Sequence, residues 1–316
     1  MKSLGGYFEL ELIDNGAYHR EALKLNTGRH ALQLLLKNID CLKIYLPFYT
    51  CEVIIDSVVK LNIPYSFYNV NLDLEPEFDF SLVKADEYFL YINYFGLKDD
   101  FIDCLKRKCP NIIIDNSQSF YSKPLSNTPT FYTARKFFGV PDGAYLFGDI
   151  PAAKYSELPT GSSYDRFEFL LKRIDLSAEE GYCDFQLAEN RINDLPIEKM
   201  SKLTDKLLSS IDYELVAEKR CRNFSHLADA LDKYNKYSVT WNGRQVPMVY
   251  PFLTNQSDLK AKLINNKIYT PSYWPNVMNS VSKTSVEFFI TTNFIFLPID
   301  QRYSTEDMDY IINKII

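Results

Sequence analysis

The feature that most constrains this chain is a regular exchange of periodicities between residues 43 and 115. Residues 43–46, 65–69, 87–95 and 111–115 read as short β-favouring runs, and 51–61 and 99–108 repeat apolar residues at helical spacing. Strand-helix-strand units with short connections lead to an α/β fold, a mostly parallel sheet covered by helices. Two more β-favouring runs, 130–133 and 144–147, flank Ala134-Arg135-Lys136-Phe137-Phe138-Gly139-Val140-Pro141-Asp142-Gly143, which closes in a turn. In such sheets chemistry collects at the carboxyl ends of the strands. Those ends read Pro47-Phe48-Tyr49-Thr50, Asn93-Tyr94-Phe95-Gly96, Asp115-Asn116-Ser117-Gln118 and Thr133-Ala134-Arg135-Lys136. One edge is expected to gather a carboxylate, an amide, a hydroxyl, a lysine and several aromatics.

Lys136 stands past a strand end among aromatic residues, where desolvation would strip part of its charge. An amine so treated attacks carbonyls, the requirement for a Schiff base. Lysines beside an arginine are more often plain surface residues, so the residues alone leave both readings open. Asp115 follows Ile112-Ile113-Ile114, which reads as a buried central strand. A carboxylate there is costly unless a cation meets it, and a protonated pyridine nitrogen would supply one; capping of the next turn is the other reading. Upstream, Thr27-Gly28 opens a helix with Leu32, Leu35, Leu36 and Ile39 on one face. Thr27 can cap it, Gly28 lets the backbone turn closely, and the free N–H groups form a phosphate seat. Many helices start this way and bind nothing.

Residues 151–195 read as loop followed by helical segments. Residues 197–211 and 215–234 read as amphipathic helices, with Met200, Leu203, Leu207 and Leu208 taken as core or dimer contacts. Short strands at 237–241, 247–252 and 293–297 then alternate with helices at 257–266 and 304–315. This gives a large domain over 1–212 and a small α/β domain over 213–316. The formal charge of -6 offers no electrostatic support for nucleic-acid binding. No apolar run reaches the ~20 residues of a membrane helix. The N-terminal Met1-Lys2-Ser3-Leu4-Gly5-Gly6 shows no apolar signal core, and the six cysteines form no CxxC. A cytoplasmic protein with reduced cysteines is expected. With only His19, His30 and His226, no metal site is expected.

Taken together, Thr-Gly-Arg-x-Ala-Leu at 27–32, Leu-Pro-x-Tyr-Thr-Cys at 46–51, Asn-Tyr-Phe-Gly at 93–96, Asp-x-x-Gln at 115–118 and Arg-Lys-Phe-Phe-Gly-Val-Pro-Asp-Gly at 135–143 carry a resemblance. The chain resembles, over nearly its whole length, the DegT/StrS family of sugar aminotransferases that use pyridoxal 5'-phosphate (PLP), of the aspartate-aminotransferase fold, fold type I. The resemblance implies that Lys136 holds PLP, that Asp115 pairs with the pyridinium nitrogen, and that Gln118 bonds the ring's phenolic oxygen. The amides of Gly28, Arg29 and His30, with the Thr133 hydroxyl, would hold the phosphate. The family usually stacks Trp or Phe on the ring where this chain has Cys51, so Tyr49 or Cys51 would stand there. The span from Asp115 to Lys136 is also shorter than usual. The Asn-Tyr-Arg motif by which a partner subunit reaches the phosphate is absent, with Asn190 and Asn193 as replacements. Asn93, Tyr94, Arg135, Tyr273 and Trp274 are the implied substrate contacts.

The implied activity moves an amino group, with glutamate the expected donor, to a keto sugar nucleotide, serving surface-polysaccharide or amino-sugar biosynthesis. A homodimer is implied. A sugar dehydratase of the same family is an alternative, but such members carry histidine where this chain has Lys136. The other alternative is a sugar-nucleotide-binding or regulatory protein that kept the fold and lost the chemistry.

Overall fold

The expected alternation builds one eight-stranded sheet in the computed structural model, which describes residues 4–316; the first three residues of the N-terminal segment lie outside it. In chain order the first part comprises β1 (Leu23–Leu25), α1 (Gly28–Leu36), β2 (Lys43–Pro47), α2 (Glu52–Lys60), β3 (Tyr65–Val70) and β4 (Pro76–Glu77). It continues with β5 (Glu87–Ile92), α3 (Asp99–Lys108), β6 (Ile112–Asp115), β7 (Thr130–Thr133) and β8 (Ala144–Phe147). The strand order is β1-β8-β7-β6-β5-β2-β3-β4. β7, β6, β5, β2 and β3 run parallel, while β8, β1 and β4 pair antiparallel at the two margins. Every residue of β6 is buried, as its unbroken apolar run predicts for a strand covered on both faces. The register sets Asp115 opposite Ile92 on one side and Phe131 on the other.

The second part comprises α4 (Ala152–Ser156), α5 (Glu168–Asp175), α6 (Tyr182–Asn193), α7 (Lys202–Ser209), α8 (Tyr213–Leu231), β9 (Val249–Leu253), α9 (Leu259–Asn265), α10 (Val286–Asn293), β10 (Phe294–Pro298) and α11 (Thr305–Ile315). β9 and β10 form a separate antiparallel pair. A second core, including Phe224, Leu227, Tyr250, Leu263, Leu297 and Met308, gathers on that pair. Trp274, Val277 and Ile290 join the first core instead. Ser304 and Asp307 cap α11 reciprocally, as the acidic first turn after a serine predicts. No helix among the described residues is long and apolar enough to cross a membrane.

Three expected elements differ, and one helix, α10, was not expected. Residues 237–241 form no strand: the Asn235 side chain takes the amides of Tyr237 and Leu253, and the Trp241 indole donates to the Gln245 carbonyl, which folds the segment into bends. The helix expected from 197 begins only at Lys202. The residues before it run extended along β1, where the Met200 amide donates to the Lys24 carbonyl, and Ser201 then caps α7. Pairing with an open sheet edge has overridden helical periodicity. The strand expected over 87–95 stops at Ile92, because Phe95 takes a left-handed conformation (φ 59°). The apolar run 285–298 resolves into a helix capped by Ser285 and then a strand, which period alone did not separate.

Two histidines inside the first core give the fold a pH dependence. His19 bonds the Phe120 carbonyl at 2.8 Å, and His30 bonds the Asn26 side chain at 2.7 Å. Burial pushes each imidazole down to about 4, with Arg29 and Lys60 adding to the effect at His30. An unfolded histidine titrates near 6.5, so between about 6.5 and 4 the unfolded chain binds protons that the folded chain refuses. Stability from these groups is complete above about 6.5 and is lost as pH falls towards 4, by up to ~3 kcal/mol per histidine. Melting temperatures followed across that window should show the fall, and His19→Phe should reduce it by about half, leaving the share of His30. An equal slope in the variant refutes the assignment.

Candidate active site

The N-terminus of α1 abuts the ends of β6 and β7. Thr27 is extended and its hydroxyl accepts from the His30 amide at 3.2 Å. A Cβ on Gly28 would lie 3.6 Å from the Thr133 Cβ and 3.7 Å from the Ser117 Oγ, so only glycine leaves room between them for a ligand oxygen. The expected phosphate seat is therefore corrected in one member. The His30 amide is spent on the cap, and Gly28 and Arg29 carry the first-turn N–H groups without helical acceptors.

Asp115 ends β6 with 4% exposure, and its carboxylate accepts from the Ser117 amide at 2.7 Å. Burial raises its pKa, and the charge of Lys136 is the chief force opposing that rise. The structure thus brings lysine and aspartate, 21 positions apart (136 − 115), into one electrostatic neighbourhood. Gln118 is fully buried. Its carbonyl oxygen accepts from the Phe95 amide at 3.2 Å, while its Nε2 has no partner. Buried polar groups are nearly always bonded, so this donor is one to which a ligand acceptor would be complementary. The left-handed Phe95-Gly96 turn is tight: a Cβ on Gly96 would meet the Val246 carbonyl at 2.9 Å.

Lys136 lies in the turn after β7, closed by the Ala134 amide on the Gly143 carbonyl and the Phe137 amide on the Ala134 carbonyl. Its side chain is exposed, while Phe137 and Phe138 turn into the core. This corrects the expected ring of aromatics: their apolar area is worth more against the core than around an amine. Arg135 forms an ion pair with Glu189 of α6, and burial pushes its guanidinium down to about 10. Arg29 donates to the Asn193 side chain at 2.7 Å. Asn193 is thereby used within its own chain. Glu189 and Asn190 line an open groove of about 620 Å³ with Tyr182, Phe185 and Gln186.

Asn26, 1% exposed, ties these parts together. Its carbonyl accepts from the Gly143 amide at 2.6 Å, and its side-chain oxygen accepts from the Thr27 amide and bonds His30. Its amide and side-chain NH₂ reach the carbonyls of Glu198 and Pro196.

Four expected contacts are closed to a ligand. Tyr49 is wholly buried, stacked on Tyr94 and edge-on to Trp274, so it presents no face to a cofactor ring. The Tyr94 hydroxyl donates to the Tyr49 carbonyl at 2.8 Å. Asn93 spends its NH₂ on Asp99 at 2.6 Å and on Asn116 and Ser122. Trp274 is 8% exposed against the same aromatics, which places it in the core. Tyr273 is half-buried against Phe95 and Phe296. Cys51 is half-buried at the head of α2, near enough to act electrostatically on Arg29. Sequence reasoning missed Ser117, Asn26 and Glu189. Ser117 sits inside the Asp-x-x-Gln motif, but its facing Gly28 is a long-range matter that no local pattern carries.

No family model matches the chain, and no curated protein matches it. Solved structures do. A DegT DnrJ EryC1 StrS aminotransferase from Brucella abortus superposes with a TM-score of 0.61 at 18% identity, over 93% of this chain and 84% of that one. The aminotransferase TlmJ from Streptoalloteichus hindustanus gives 0.64 at 12% identity, over 93% and 84%. NtdA from Bacillus subtilis, solved with bound cofactor PMP, gives 0.63 at 13% identity, over 93% and 72%. Likeness at these identities is a statement about architecture, and on that ground the chain has the fold of the DegT DnrJ EryC1 StrS aminotransferase, fold type I.

Proposed function

We propose that this chain is a PLP-dependent aminotransferase that transfers an amino group, with glutamate as the expected donor, to a keto sugar carried on a nucleotide. The observation that carries the reading is the Asp115 carboxylate, buried at the end of the central strand with the charge of Lys136 opposing its rise in pKa. The residues present fit the cofactor. The unpartnered Gln118 Nε2 suits a phenolic oxygen, and the gap among Gly28, Ser117 and Thr133 suits a phosphate.

In this reading the Gly28 and Arg29 amides would hold the phosphate at the positive end of α1, joined by the Thr133 hydroxyl once it leaves its long 3.4 Å bond to the Gly143 carbonyl. Asp115 keeps a proton on the pyridine nitrogen by offering it a buried counter-charge. When bound, the group supplies an electron sink for the charge that develops at the donor's α-carbon. Lys136 Nζ would hold the group and, once free, would take the proton leaving that carbon and pass it on as a general acid. Its exposure in the single chain leaves it free to swing between these tasks. Arg135 and Arg29 draw α6 towards the site, so its groove is the surface on which the sugar would rest. Adding PLP should turn the protein yellow, and glutamate should bleach it. A colourless protein that takes up no PLP refutes the reading and favours the binding-protein alternative.

The acting species in this reading is a homodimer. The helices first expected to supply the contact bury their apolar faces at home: Met200 and Leu208 lie in the first core, Phe224 and Leu227 in the second. Exposed apolar side chains lie instead on and beside α5 and α6, at Leu171, Ile174, Leu176, Tyr182 and Leu187. Apolar surface of that extent marks an interaction site. Because a ligand bound across an interface stabilises assembly by mass action, PLP should shift the dimer to lower protein concentration. Sedimentation over a dilution series with and without PLP measures this. A monomer at high concentration that turns over substrate refutes it.

A further inference from the structure

Arg220 in α8 is 1% exposed, the largest fully buried side chain among the described residues. Its Nε donates to the Gln301 side-chain oxygen at 2.9 Å, its Nη1 to the Met248 and Pro247 carbonyls at 3.2 and 3.4 Å, and its Nη2 to the Phe137 carbonyl at 3.4 Å. The guanidinium lies 4.5 Å from the centre of the Phe137 ring. All these acceptors are neutral. The carboxylate that acts on it electrostatically, Asp300, is held by Arg302 through two bonds of 2.7 and 2.9 Å. Burial pushes Arg220 down to about 10, with Asp300 opposing from a distance. Gln301 completes the arrangement, its Nε2 donating to the same Phe137 carbonyl at 2.7 Å.

A buried cation bonded only to neutral groups is a costly way to glue two layers, and well-packed apolar residues would do it at least as well. What the arrangement provides is direction. Two donors from different elements converge on one carbonyl, and that carbonyl belongs to the residue after Lys136. The other side of the same turn is tied by its own amides to the Ala134 carbonyl. We infer that Arg220 and Gln301 are positioning residues for Lys136: they fix the turn that aims its amine, and so make the lysine's placement depend on how the second core is seated. The inference rests on the reading that Lys136 carries PLP.

The test separates aim from glue. Gln301→Glu keeps an acceptor for Arg220 Nε but removes the donor to Phe137, since an ionised carboxylate only accepts. The purified full-length protein is mixed with PLP, trapped with borohydride at successive times, and mapped for the adduct on residue 136. Visible circular dichroism of the bound cofactor and the melting temperature without cofactor are recorded beside it. The expected result for Gln301→Glu is an unchanged melting temperature, trapping slowed about tenfold and a weakened visible band, a change of the size one hydrogen bond controls. Arg220→Lys, which keeps the charge and loses the fork, should slow trapping at least as much. Wild-type trapping and dichroism in Gln301→Glu overturn the inference. So does slowed trapping that only follows a lowered melting temperature. An unaltered protein that gives no adduct at residue 136 refutes the functional reading itself, and the positioning role falls with it.

Discussion

Lys136→Ala should still bind PLP, but without the covalent bond and the yellow absorbance that comes with it. Half-reaction with glutamate should fall by about 10²–10⁴-fold from the lost proton transfer alone. The side chain is exposed and its neighbours Phe137 and Phe138 carry the local packing, so stability should stay within the roughly ±0.5 kcal/mol typical of a surface substitution. Borohydride reduction of the unaltered protein should place the adduct on residue 136. An adduct on Lys123 or Lys154, both exposed, would sink the assignment.

Asp115→Asn is expected to have the second largest effect. Asparagine keeps the shape and can accept from the Ser117 amide as the carboxylate does. It cannot hold a proton on a pyridine nitrogen by charge. Catalysis should therefore fall by on the order of 10²–10³-fold, about 3–4 kcal/mol of transition-state stabilisation. Stability should not fall with it, because the variant no longer has to bury a negative charge. Transamination and melting curves on one preparation decide the point. An Asp115→Asn variant as active as the parent would make the carboxylate structural.

The sheet was readable from sequence because its strands and helices announce themselves locally. Ile112-Ile113-Ile114 has no period other than burial, and Asp99–Lys108 repeats at helical spacing with acidic residues first and basic last. The lysine, the aspartate and the Thr27-Gly28 helix start were legible for the same reason: each sits where a strand ends or a helix begins. What could not be read is which side chains close on one another. Tyr49 looks like a ring-covering aromatic and Tyr94 and Trp274 like substrate contacts in a list of motifs, yet they bury one another. Residues 197–200 carry helical periodicity and still pair with β1, since an open edge offers hydrogen bonds that periodicity does not reveal. The Arg135–Glu189 pair joins segments 54 positions apart (189 − 135), and no local pattern encodes it.

Asn26 sets an order of events during synthesis. Its partners include Gly143, Pro196 and Glu198, so the link between the phosphate seat and the lysine turn is fully braced only after residue 198 has left the ribosome. At about 5–20 residues per second, the stretch from Lys136 to Glu198 takes several seconds to emerge. During that time β6, β7 and the lysine are present, but the closures from Asn26 to Pro196 and Glu198 are not, and such long-range closures are the slow ones. A nascent chain stalled before residue 196 would carry Lys136 and the residues of the seat without the two bonds that brace Asn26 from behind. In the proposed reading, cofactor capture would therefore follow the bracing of Asn26 by residues 196 and 198, not the emergence of Lys136.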